Sequence, residues 1–432
     1  MSVFLKTPAA IILLLTVLQL KAQEQYIFKP AKILTATPVK NQEQTGTCWA
    51  FSATSFLESE LIRIGKEQVN LSEMFIVRHV YRKKCENYVR RQGKTQFGEG
   101  GLAHDLLDAV ANYGVVPEAV YPGRKDASAP YNHTELEKTL KATCDNLIKD
   151  AAAGKLKANW ILEIDNKLDE TFGTLPAKFK AAGLITDAQN YRDFLGIRTG
   201  DYVNITSFTH HPFYQPFVLE VPDNFSNGTF YNLPISEMMR CLNNALQLGY
   251  SVEWDADVSN AGFSSQNGIA VIPEKNWTAK TEDEKLNTFK FWEPEIHITQ
   301  EIRQDLFDRQ ITTDDHLMHI TGILDEVHSG IYYTVKNSWG ENAGKNGYMY
   351  VSEAYMRANT ISITLHKEAI PADIRKQLLL EPGEYIIDNK TNRKVPAKQS
   401  LQGPVEPKTS PVNSINNKTI EKSAPKLKSN NN

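Results

Sequence analysis

A chain of 432 residues can form two compact domains, or one large domain carrying insertions. Its 41% hydrophobic and 23% charged residues are ordinary for a globular protein, and a formal net charge of −3 supplies neither the basic footprint of a nucleic-acid binder nor a strong steering field. The four cysteines, Cys48, Cys85, Cys144 and Cys241, form no CxxC pair, which speaks against a structural zinc site.

Lys6 precedes an apolar run from Ala9 to Leu20, and Leu20-Lys21-Ala22 closes it with a small residue. This pattern predicts a signal peptide over residues 1–22 and an exported, periplasmic or extracellular protein starting near Gln23. No later segment reaches the ~18 uninterrupted apolar residues of a spanning helix, so stable membrane insertion is not expected. If Cys48 stays reduced, at most one disulfide can form among the other three cysteines.

The stretch from Gln23 to about Pro38 reads as extended, and Asn41 to Thr47 as turn-rich. Trp49, Phe51, Ala53, Phe56, Leu57, Leu61 and Ile62 then recur at helical spacing, predicting a buried helix from Cys48 that stops at Gly65. Ser72 is placed to cap a second helix through Val80. A glycine-rich turn, Gly98 to Gly101, leads into a helix from about Leu102 to Tyr113.

The middle section, about 131–310, carries helical patterns over Thr134–Gly154, Asp187–Leu195 and Ser236–Gly249, with turns at Asn227-Gly228 and Asn267-Gly268. In the last third, His316 to Ile323 alternates with the period of a strand, Ser329-Gly330 makes a turn, Ile331–Lys336 forms a second strand and Gly347–Val351 a third. A helical first part and a sheet-rich last part predict an α+β protein whose two faces meet at a cleft. Beyond about Glu381 the composition collapses into Asn, Lys, Pro and Ser, so a largely disordered tail is expected over 383–432.

The sharpest segment is Gln42 to Ser52, which contains Gly46-Thr47-Cys48-Trp49. A thiol in the first turn of a helix meets unpaired N–H groups and the positive end of the dipole, both of which favour the thiolate. Gln42 is placed to aim an amide at a developing oxyanion beside the Cys48 N–H. Read alone, Cys48 is equally a buried structural cysteine. A nucleophilic thiol needs an imidazole base and a group to orient it. Asp315-His316 opens one strand and Lys336-Asn337-Ser338-Trp339-Gly340 ends the next, so His316 and Asn337 can meet across the pair with Trp339 covering the bond. His319 lies three residues further on the opposite face, and a zinc reading of His316-x-x-His319 lacks a third ligand.

These segments, Gln42 to Ser52, Gly100-Gly101 and Lys336 to Gly340, resemble the motifs of papain-like cysteine peptidases. The resemblance implies a two-lobed fold with a helical lobe and an antiparallel β lobe. It implies nucleophile Cys48, base His316, orienting Asn337 and oxyanion donor Gln42, with Gly100, Gly101 and Trp339 contacting substrate. Gly322, six residues after His316, and the preceding Asp315 agree with the family pattern.

The interval from Cys48 to His316 exceeds the ~130–150 residues usual in the family. Thr45 replaces a cysteine many relatives use, and Gln23 to Cys48 leaves no room for a large propeptide. These departures, with Tyr191–Phe194, Leu233–Val258 and Leu365–Pro371, resemble the bleomycin hydrolase/aminopeptidase C branch. That branch implies a peptidase domain over 23–382 with a large, mainly helical insertion at about 131–310, no metal or organic cofactor, peptide substrates, and hexameric assembly. It also implies aminopeptidase action, in which the chain's own terminal carboxylate holds the substrate amine, although this chain runs on well past that point. An endopeptidase with an open cleft, an inactive binding protein of the same fold, and acyl transfer to an amine all remain open readings.

Overall fold

The computed structural model describes residues 24–126 and 128–380, with the backbone of 385–388 and 393–396. The expected signal peptide, 1–22, lies outside the described residues, as does most of the expected tail. The chain divides into two units, Met1–Leu378 and Leu379–Asn432. In the second, Tyr385–Asp388 pairs antiparallel with Arg393–Pro396. Tyr385, Ile386, Ile387 and Val395 supply the strand propensity that the polar composition around them masks.

In the first unit, helices α1 (Cys48–Arg63), α2 (Glu73–Arg90) and α3 (Ala103–Tyr113) form where the apolar periods predict them. The Ser72 hydroxyl accepts the Phe75 N–H at 3.0 Å and caps α2. That helix runs on past Val80 because Tyr81, Cys85, Tyr88 and Val89 continue its buried face. Helices α4 (Thr134–Ala152) and α5 (Ile161–Phe172) pack on α2. Arg78 and Arg82 reach Asp169 and Asp165 across that contact at 2.6 and 2.8 Å. All four cysteines are buried and free.

The described residues form an eleven-stranded sheet. At its centre, His316–Glu326 lies between Val252–Ala256 and Gly330–Lys336, antiparallel to both. Tyr348–Ser352 extends the sheet beyond Gly330–Lys336, and Thr360–His366 extends it beyond Val252–Ala256. Helix α1 covers one face of the centre and the helix Ile235–Leu248 the other, so these strands are buried on both sides.

The section expected as a mainly helical insertion, about 131–310, divides in the fold. Its first part, with α4, α5 and the helix Ala188–Leu195, is helical. Its later part lays Tyr202–Thr206, Thr229–Asn232 and Val252–Ala256 into the sheet. Val252-Glu253-Trp254-Asp255-Ala256 alternates acid with apolar residue, and all five residues are buried.

Candidate active site

Cys48 is the first residue of α1, where the backbone N–H groups have no partner within the helix. The loop before it is fastened on both sides. Thr45 Oγ1 donates to Gln42 O at 2.8 Å and meets Thr47 Oγ1 at 2.6 Å, so its hydroxyl staples the loop internally. The Gln42 N–H donates to Ser338 O at 2.8 Å, tying the loop to the sheet. On the other flank Glu99 accepts the Gly46 N–H through Oε2 at 2.6 Å and the Trp49 indole N–H through its carbonyl at 3.1 Å. Gly101 lies against the Trp49 ring, 3.2 Å from where a Cβ would stand. Nothing in the sequence singled out Glu99; an acid inside a glycine-rich turn reads as solvated until its partner is known.

His316 opens the central strand and Asn337 directly follows the neighbouring one. His316 Nε2 lies 2.7 Å from Asn337 Oδ1, and that oxygen also accepts the Ser338 N–H at 2.7 Å. Because a backbone N–H points at it, the atom is the amide oxygen, so Nε2 carries the ring proton and Nδ1 presents its lone pair. Trp339 stacks on the His316 ring with centroids 4.5 Å apart. The Leu317 N–H, one residue beyond His316, faces the Cys48 sulfur, which places the start of α1 against the start of the central strand.

Gln42 is buried and oriented: its Oε1 accepts the Ser338 hydroxyl at 2.6 Å and its Nε2 donates to Thr45 O at 2.7 Å, leaving a second N–H on that nitrogen. Thus Gln42, Cys48, Gly101, His316, Asn337 and Trp339 converge. His319 points to the other side, where Nδ1 meets Ser55 Oγ at 2.9 Å behind α1, and it shares no ligand position with His316. His210, His211 and Glu220 do bring ligand atoms within 4.8 Å of one another, but away from this cleft and as a hydrogen-bonded set. Gln304 Nε2 lies 3.0 Å from His210 Nδ1, which leaves the other His210 nitrogen protonated toward Glu220.

Burial sets the resting protonation of the site. It pushes the Cys48 thiol up to about 12, with Asp314, Asp223 and Asp255 adding to the rise and the Leu317 N–H opposing it. Burial also lowers the His316 imidazole to about 4, against the opposing effects of Asn337 and Asp315. The helix terminus favours the thiolate, while desolvation and the three carboxylates act against it, so burial pushes both the thiol and the imidazole toward their neutral forms.

The Peptidase C1-like family matches residues 166–386, and the papain family of cysteine proteases matches residues 29–193. The chain belongs to the peptidase C1-like family. It is a cysteine-type peptidase, and its likeness to relatives runs through most of its length. It is 25% identical over 386 residues to aminopeptidase C of Streptococcus thermophilus, covering 79% of this chain and 82% of that one. With the bleomycin hydrolase of Gallus gallus it shares 22% identity, covering 82% and 86% of the two chains. The crystal structure of PepW from Lactobacillus rhamnosis superposes with a TM-score of 0.63 at 21% identity, covering 82% of this chain and 85% of that one. The fold class read from the sequence, α+β and papain-like, is the one these comparisons support.

Proposed function

We propose that this peptidase is an aminopeptidase that releases N-terminal residues through Cys48, His316 and Asn337. The observation that carries the reading is the 2.7 Å bond between Asn337 Oδ1 and His316 Nε2, on a strand whose next residue, Leu317, faces the Cys48 sulfur. The aminopeptidase names of the relatives support the exopeptidase part.

In this mechanism His316 Nδ1 takes the Cys48 proton as the sulfur attacks the peptide carbonyl. The oxyanion receives the Cys48 N–H and the remaining Gln42 Nε2–H. The imidazolium, steadied by Asn337, passes its proton to the leaving amine. Water then clears the thioester with His316 as base. The pattern from Lys6 to Ala22 supports export with cleavage before Gln23, which N-terminal sequencing of the mature protein tests. Hexameric assembly belongs to the same proposal and is read from solution mass.

The activity test compares free-amine aminoacyl fluorogenic amides with N-blocked peptide amides, using residues 23–432 and a Cys48→Ala control under reducing conditions. Turnover confined to the free-amine set and lost in the control supports the aminopeptidase. Efficient cleavage of blocked peptides makes the protein an endopeptidase.

A further inference from the structure

Beside the thiol lies a group of carboxylates that the chemistry above does not use. Gly100 is open on one side only to the Asp223 side chain: a Cβ placed on this glycine would run into the Asp223 carboxylate. The loop that carries Asp223 is built rigidly. Asn224 Nδ2 donates to Leu219 O and Gly228 O at 2.8 and 2.9 Å, and Asn224 Oδ1 accepts the Gly228 N–H at 2.7 Å. Ser226 Oγ donates to Asp105 at 2.7 Å, and Phe225 is buried. The same loop reaches the opposite wall, where the Asp223 backbone N–H faces the carboxylate of Asp314, two residues before His316. The loop therefore straps the cleft from the Gly100 side to the His316 side.

The Asp223 charge is offset only at a distance, by the Lys84 ammonium. Among the described residues, no donor hydrogen-bonds the Asp223 carboxylate. Lys84, the nearby cation, gives its ammonium to the carbonyls of Gly98 and Gly100. Behind Asp223, among the described residues, Asp314 Oδ2 and fully buried Asp255 Oδ1 have no hydrogen-bond donor other than a proton shared between these two acids, which face each other. An open-sided carboxylate backed by buried negative charge recognises a cation, and a primary ammonium offers it a charge-assisted hydrogen bond.

We infer that Asp223 is the binding group for the α-ammonium of the substrate, and that the 219–228 strap closes the cleft beyond the first residue. The internal carboxylate takes the role that the family resemblance would give to the chain terminus. This inference rests on the aminopeptidase reading. An N-acylated substrate loses the ammonium and meets the strap instead.

The test measures kcat and KM of the wild type, Asp223→Asn and Asp223→Glu on one aminoacyl fluorogenic amide and on its N-acetyl form, with thermal midpoints recorded for each protein. The expected result is that Asp223→Asn lowers the free-amine preference at least about tenfold, through KM, while Asp223→Glu retains more of it. A wild type without amine preference sinks the aminopeptidase reading itself. A wild type with the preference and an Asp223→Asn variant that keeps it overturns the assignment of Asp223 alone. Equal losses on both substrates in both variants also overturn it, because the residue then serves the fold.

Discussion

Replacing Asn337 with alanine isolates the contribution of the orienting amide. In the resting site the 2.7 Å contact to His316 Nε2 is a neutral hydrogen bond, worth roughly 1 kcal/mol. When His316 accepts the thiol proton, the same contact becomes charge-assisted and worth about 1.5–3 kcal/mol. The part that exists only with imidazolium acts on the transition state, so kcat should fall while KM changes little. At 1.4 kcal/mol per tenfold, the excess of about 0.5–2 kcal/mol over the resting bond corresponds to a loss of about 2- to 30-fold in kcat. Trp339, stacked at 4.5 Å, still holds the ring in place, which keeps the loss below that of removing the imidazole. The side chain also satisfies the Ser338 N–H, so a stability cost of about 1–3 kcal/mol accompanies the kinetic one. Steady-state turnover of an aminoacyl fluorogenic amide and a thermal melt read both effects. A kcat equal to that of wild type, in a variant melting below it, would refute this assignment of the tautomer.

Two further outcomes follow from the same geometry. His316→Ala should lose about 10²- to 10⁴-fold in kcat, whereas His319→Ala, which removes the bond to Ser55 behind α1, should cost about 2–4 kcal/mol of stability and keep turnover within a few-fold of wild type. The reverse pattern in the two assays would exchange their roles. Burial above all lifts the carboxyl of Glu253, 0% exposed, from 4.5 to about 8. The folded state therefore keeps a proton that the unfolded chain releases above about 4.5, and this contribution to stability is lost as pH rises from there to about 8. Glu253→Gln should melt progressively higher than wild type between pH 5 and 8, by a margin on the order of 3 kcal/mol at the upper end. A melting difference that does not change with pH contradicts the assignment.

Much of the site was legible because its signals are local. The helix beginning at Cys48, the strand beginning at His316 and the Asn337-Ser338-Trp339 run each announce themselves through periodicity or a short motif, and the register of two adjacent strands does the rest. What escaped depends on partners distant in sequence. Val252–Ala256 carries two acids, and only coverage by α1 and the helix Ile235–Leu248 makes it a fully buried centre. The helix terminus beside the thiol is visible in sequence, whereas the opposing carboxylates of Asp223, Asp255 and Asp314 reach it from separate segments and were not. Asp223 itself sits in an unremarkable Val-Pro-Asp-Asn stretch; the Asn227-Gly228 turn after it was readable, but its seat on Gly100 is a product of the fold.

The most direct test of the account is to inactivate the protein with a peptidyl electrophile bearing a free amine and to locate the adduct by peptide mapping. One label per chain is expected, on Cys48, with activity falling in proportion and no labelling in Cys48→Ala. Labelling at Cys85, Cys144 or Cys241 that tracks the loss of activity, or turnover that survives in Cys48→Ala, would contradict it.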